Sequence, residues 1–310
     1  MDAVIVDPEI EPLLELVPIS TLTPEVLTEL RTARLAVFAD LNAALTDDVA
    51  RTDHVVGDDP NVFVRVHRAQ TQDGPLPCVY SIHGGGYVMG SVDMDDARFA
   101  RWCPELGCVG VSVEYRLAPE TPYPGPLDDC YAGLRWTYEH ADELGIDRDR
   151  IGIAGVSAGG GLAAALALLA RDRGEVPLAF QLLECPMLDD RQTTSSSRLD
   201  GLPVWSRESN TFGWRAYLGD RYGGDVPAYA APARADDLSG LPPALVIAGG
   251  ADGFRDEDVL YALRLNQAGV PAELHVLPGA PHGVQMFLGS ALARRWDALV
   301  TEWLTLQLAA

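Results

Sequence analysis

The sequence predicts an α/β fold in which a mostly parallel sheet is covered by helices on both faces. Three observations predict it. Short β-branched runs recur along the 310 residues, helical patterns lie between them, and a composition of 47% apolar and 22% charged residues is that of a globular chain. The length suits one large domain or two small ones.

Residues 1 to about 47 precede the first strand and read as helical, with Pro24 at a helix start after Thr23. The first clear strands are Val62–Val66 and Cys78–Ile82, followed by Val109–Val113, Ile151–Ala154, Leu178–Leu183, Ala244–Ala248 and Ala272–Leu277. Leu127, Tyr131, Leu134 and Tyr138 keep helical spacing between strands, as do Leu292, Trp296, Leu299 and Trp303 near the C-terminus. Asp256 is the expected N-cap of a helix through Val259, Ala262 and Leu263 that Gly269 ends. Residues 189–234 break the alternation. They carry Trp205, Phe212, Trp214, Tyr217, Tyr222 and Tyr229, which suits both a small satellite core and a cap lining a pocket. Trp205, Phe212, Trp214 and the earlier Tyr87 are the candidate substrate contacts.

The charge narrows the chemistry. With 23 basic and 45 acidic residues the formal charge is −22, and every basic residue is arginine. Without lysine there is no side-chain Schiff base and no P-loop or kinase lysine. The acidity disfavours nucleic acid, since no arginine cluster offsets it. The start, Met1 to Pro8, lacks the basic and apolar regions of a secretion signal, and the longest apolar run, Gly159 to Ala170, is 12 residues, against about 20 for a bilayer span. A cytoplasmic protein without a membrane partner is expected. Five cysteines without a C-x-x-C pair suggest small buried hydrophobes rather than a disulfide framework or a zinc site.

Gly155-Val156-Ser157-Ala158-Gly159 lies between the strand ending at Ala154 and a helical run from Gly161. A serine in a sharp strand-to-helix turn flanked by glycines is the context of a nucleophile elbow. Upstream, His83-Gly84-Gly85-Gly86-Tyr87 follows the strand ending at Ile82. Three successive glycines let main-chain N–H groups converge on one point, which holds an oxyanion without a cation. A phosphate cradle fits less well, because neither a lysine nor a G-x-G-x-x-G helix start accompanies the loop. Of six histidines, only His282 falls in a loop just past the last strand, at the edge where open α/β sheets place active sites. Asp252 follows the strand Ala244–Ala248 closely and is preferred over Asp256 as the acid that orients the base. The chain order Ser157, Asp252, His282 is that of the α/β-hydrolases.

With His83 to Gly86, Glu114-Tyr115-Arg116-Leu117-Ala118-Pro119-Glu120, the elbow at Ser157, Asp252-x-x-Arg255-Asp256-Glu257 and the late His282, the chain resembles the hormone-sensitive-lipase-type bacterial carboxylesterases over about residues 50 to 310. The resemblance implies an α/β-hydrolase fold with an eight-stranded sheet and a helical cap. Residues 1–47 and 189–234 would form the cap, and 48–188 and 235–310 the two parts of the core. It implies hydrolysis of soluble, short-acyl carboxylic esters through an acyl-enzyme on Ser157, with the oxyanion held by the N–H groups of Gly85, Gly86 and Ala158. No metal or cofactor is required. Relatives commonly form homodimers, and no feature of this sequence specifies one. An amidase or deacetylase with the same triad, or a non-catalytic binding protein on the same fold, are the alternatives. Two departures stand out: Val156 replaces a usually polar or acidic residue, removing a hydrogen bond expected beneath the elbow, and Gly253-Phe254 replace the family's Pro-Leu, which is expected to loosen the turn after the acid.

Overall fold

The computed structural model describes residues 4–15 and 21–309; parts of the expected N-terminal helical segment, residues 1–3 and 16–20, lie outside them. Eight strands form one sheet: β1 (Val49–Val55), β2 (Phe63–Ala69), β3 (Leu76–Ile82), β4 (Val109–Glu114), β5 (Ile146–Val156), β6 (Gln181–Glu184), β7 (Ala244–Ala251) and β8 (Ala272–Pro281). Their order is β1-β2-β4-β3-β5-β6-β7-β8. The β1–β2 and β2–β4 pairs are antiparallel and all others parallel. The helices are α1 (Glu11–Leu14), α2 (Pro24–Asn42), α3 (Asp96–Leu106), α4 (Gly125–Glu139), α5 (Ala141–Leu144), α6 (Ala158–Arg173), α7 (Arg207–Leu218), α8 (Arg255–Gln267) and α9 (Ala291–Ala309).

Strand alternation sorts the core into two layers. Tyr80, Ile82, Leu183 and Val246 face a layer built with α4, α6 and α8, while Val79, Leu182, Leu245 and Ile247 face one built with α3 and α9. In α6 all thirteen residues from Ala158 to Ala170 are buried, the signature of a helix enclosed on every side. Its small residues let it lie close to the sheet, directly behind the elbow.

β1 was not among the expected strands. It is the sheet edge, with only Val49 fully buried, so its sequence shows no apolar alternation. Asp256 is not the cap of α8: Phe254 holds the N-cap position, and Asp256 lies in the first turn, where its carboxylate accepts from Ser196 N–H at 2.8 Å and Arg255 Nε at 2.8 Å. Thr23 is the N-cap of α2 with Pro24 after it, and Gly269 follows the end of α8 with φ +81. Among the described residues, no helix is long and apolar enough to cross a membrane.

Two segments lie over the C-terminal ends of the strands. The first is α2, where Arg31 donates to Val88 C=O at 2.6 Å and Ala118 C=O at 2.8 Å and pairs with Glu120. The second follows β6 and contains α7, whose N-cap Ser206 Oγ accepts from Ser209 N–H at 3.2 Å. Ser209 Oγ in turn accepts from Leu22 N–H at 3.0 Å, joining the two segments.

Candidate active site

β5 delivers Ser157 to the turn before α6, where it has φ +58, a strained value for a residue with a side chain. The flanking glycines are there because backbone crosses backbone. A Cβ on Gly155 would lie 2.2 Å from Gly159 C=O, and one on Gly159 would lie 2.0 Å from Ile82 C=O. The end of β6 clamps the turn from the other side: Ser157 N–H donates to Glu184 C=O at 2.8 Å, and Ser157 C=O accepts from Met187 N–H at 2.9 Å.

β7 and β8 bring in the other two groups. Ser157 Oγ donates to His282 Nε2 at 2.8 Å, and His282 Nδ1 donates to Asp252 Oδ2 at 2.7 Å. All three residues are buried, Ser157 and His282 at 6% exposure and Asp252 at 1%. Asp252 Oδ1 accepts from Phe254 N–H at 3.0 Å, and the Phe254 ring stands edge-on to the imidazole at 5.0 Å. The turn after the acid is therefore not loosened: Phe254 braces both partners, and Gly253 leaves room for Leu202, whose Cδ1 would lie 3.0 Å from a Cβ there.

The glycine loop lies beside the serine. Gly85 and Gly86 have φ +124 and +63, and among the described residues their N–H groups and that of Ala158 donate to no other atom. The loop is set by His83, which stacks on Tyr115 at 4.2 Å, while the Tyr115 hydroxyl donates to His83 C=O at 2.9 Å. Tyr87 and Trp214 are corrected as substrate contacts. They are 1% and 0% exposed, Tyr87 stacks on Tyr217 at 4.0 Å, and the cluster they form packs behind the loop. Trp205 and Phe212 keep exposed surface.

Beneath the elbow, Val156 pairs in register with Glu184, and that buried glutamate supplies the polar anchor expected from position 156. Its carboxylate accepts from Arg98 at 2.6 and 3.3 Å and from Trp296 Nε1 at 2.6 Å, tying β6 to α3 and α9. This trio is not among the site residues expected from the sequence, although a glutamate inside the apolar run Leu182-Leu183-Glu184-Cys185 is the signal for it. Glu257 holds the next residues of that segment, accepting from Leu188 and Asp189 N–H at 2.8 and 3.1 Å; burial still pushes its carboxyl well above the usual range. Asp258 is raised too, by burial first and then by Glu257 and Asp252.

Cys185, Asp252 and His282 place a thiol, a carboxylate and an imidazole within 4.8 Å of one another. The carboxylate and imidazole are already bonded to each other, and burial, with Asp252 and Asp258 nearby, pushes the thiol well up and keeps it protonated. The donors form an acid–base pair with an inert neighbour. All five cysteines are free and buried.

The chain is similar to known proteins. A family model described as the alpha/beta hydrolase fold matches residues 79–286. The chain is similar to the esterase LipI of Mycobacterium tuberculosis, with 40% identity over 69% of this chain and 67% of that protein. It is 38% identical to the carboxylesterase NlhH of the same organism, over 85% of this chain and 78% of the other. The solved structure named Bacterial Heroin Esterase superposes with a TM-score of 0.93 at 42% identity, covering 98% of both chains.

Proposed function

Since this chain belongs to the α/β-hydrolase fold family, in its hormone-sensitive-lipase-type branch, and is a carboxylic-ester hydrolase, we propose that Ser157, His282 and Asp252 are its catalytic residues. The observation that carries this reading is the continuous hydrogen-bond chain Ser157–His282–Asp252 beside three free main-chain N–H groups. His282 takes the proton of Ser157 as Oγ attacks the ester carbonyl and gives it to the leaving alkoxide. Asp252 holds the imidazole tautomer and stabilises the imidazolium. The N–H groups of Gly85, Gly86 and Ala158 receive the oxyanion, each worth about 2.7–4 kcal/mol. Water, activated by the same base, then releases the acid.

The segment through α2 and residues 189–234 form the cap, and their closeness to the site supports compact esters with short acyl chains. The free buried thiols suit a reducing, cytoplasmic setting. An amidase and a non-catalytic binder are not favoured, because the relatives are named esterases. Hydrolysis of p-nitrophenyl acetate by wild type and Ser157→Ala tests the reading. The variant is expected to lose about 10⁴-fold or more in kcat; undiminished hydrolysis would overturn it.

A further inference from the structure

The turn before α7 is held in a conformation that side chains rarely adopt. Val204 has φ +68, and Trp205 N–H donates across it to Pro203 C=O at 2.8 Å. Such a three-residue turn is rare, and a β-branched residue at its centre is strained. Strain of this kind persists only where the surroundings over-determine it. Here they do so from both sides: Leu202 is buried against Gly253, and the Trp205 indole N–H reaches Asn210 Oδ1 at 3.4 Å.

What the turn achieves is the position of one indole. A Cβ built on Gly86 would lie 2.2 Å from Trp205 Cη2, so the ring rests directly on the oxyanion loop. Its centroid is 6.3 Å from that of His282, too far to stack on the base. α7 approaches the same edge of the ring with Gly213, where a Cβ would lie 2.8 Å from Gly86 C=O and 3.5 Å from both Trp205 Cζ2 and the Met187 methyl. The leaving alcohol must stay beside His282 to be protonated. A chain extending from the carbonyl past the oxyanion glycines, away from the base, meets the indole and α7.

We propose that Trp205, held by the strained turn at Val204, is the residue that limits the length of the acyl group. This rests on the esterase reading above and goes beyond it in naming one side chain and one half of the substrate.

The test compares wild type, Trp205→Ala, Trp205→Phe and Val204→Gly on two series: p-nitrophenyl esters from acetyl to octanoyl, and acetates of alcohols of increasing size. Trp205→Ala is expected to raise the octanoyl-to-acetyl ratio of kcat/KM by about tenfold or more, the scale of at least one methylene in an apolar pocket, and Trp205→Phe by less. The alcohol series keeps its order. Val204→Gly accepts the positive φ, so the turn and the indole stay in place and the acyl ratio stays at the wild-type value. A folded Trp205→Ala that keeps the wild-type acyl ratio, or moves only the alcohol series, overturns the inference. If Trp205→Ala does not fold, Trp205→Phe decides, and an unchanged acyl ratio in it overturns the inference. Wild type that hydrolyses no ester, or Ser157→Ala that hydrolyses as fast as wild type, overturns the esterase reading itself; an active wild type with unmoved ratios overturns only the role of Trp205.

Discussion

Asp258 is a buried acid whose two carboxylate oxygens find no hydrogen-bond partner among the described residues. Its folded-state pKa lies well above the ordinary value of 3.8, so between the two values the folded chain holds a proton that the unfolded chain has released. Stability contributed by this group is then full in acid and falls by about 1.4 kcal/mol per pH unit as pH rises through that window. Asp258→Asn is expected to be more stable than wild type at pH 7, with a smaller gain at pH 5, as read by urea unfolding at both values. Glu184 is the opposite case, a buried carboxylate fully partnered by Arg98 and Trp296. Glu184→Gln leaves Arg98 without its countercharge and is expected to cost about 3–5 kcal/mol in the same measurement. Ser157, Asp252 and His282 were legible in the sequence because local signals surround them: flanking glycines, a strand end, a loop after the last strand. Glu184 and Phe254 were not, since what defines them comes from residues distant in the chain.

Elements were legible where burial marks the sequence. α4 and α9 declare themselves by helical period, and the inner strands and α6 by continuous apolar runs, whereas β1, paired on one side only and largely exposed, had to be seen in the structure. The start of α8 shows a further limit: an acidic residue near a helix N-terminus has several uses, and Asp256 spends its oxygens on Ser196 and Arg255 instead of its own helix end. α7 does carry a side-chain cap. Ser206→Ala is expected to destabilise the protein by about 1 kcal/mol. Because α7 lies against Gly86, the same variant should also show faster amide hydrogen exchange over Arg207–Leu218 than wild type, with exchange in β5 and β7 unchanged.

Across the molecule, a formal charge of −22 opposes compactness, and the arginines answer it locally, as Arg65 does in bridging Asp53, Asp93 and Asp96. Raising NaCl from 0.01 to 0.5 M shortens the screening length from about 30 Å to several ångströms. Long-range repulsion is lost before these short contacts are, so the melting temperature at pH 7 is expected to rise with salt; a fall would mean that the ion pairs outweigh the repulsion. The cysteines bear on how such a molecule can be observed. All five thiols are buried and unpaired, so a cysteine introduced at an exposed position of α2, such as Val37→Cys, would be the only thiol open to a maleimide dye. The native chain needs no prior cysteine removal to take a single fluorophore there, and whether α2 stays in place during turnover could be read directly.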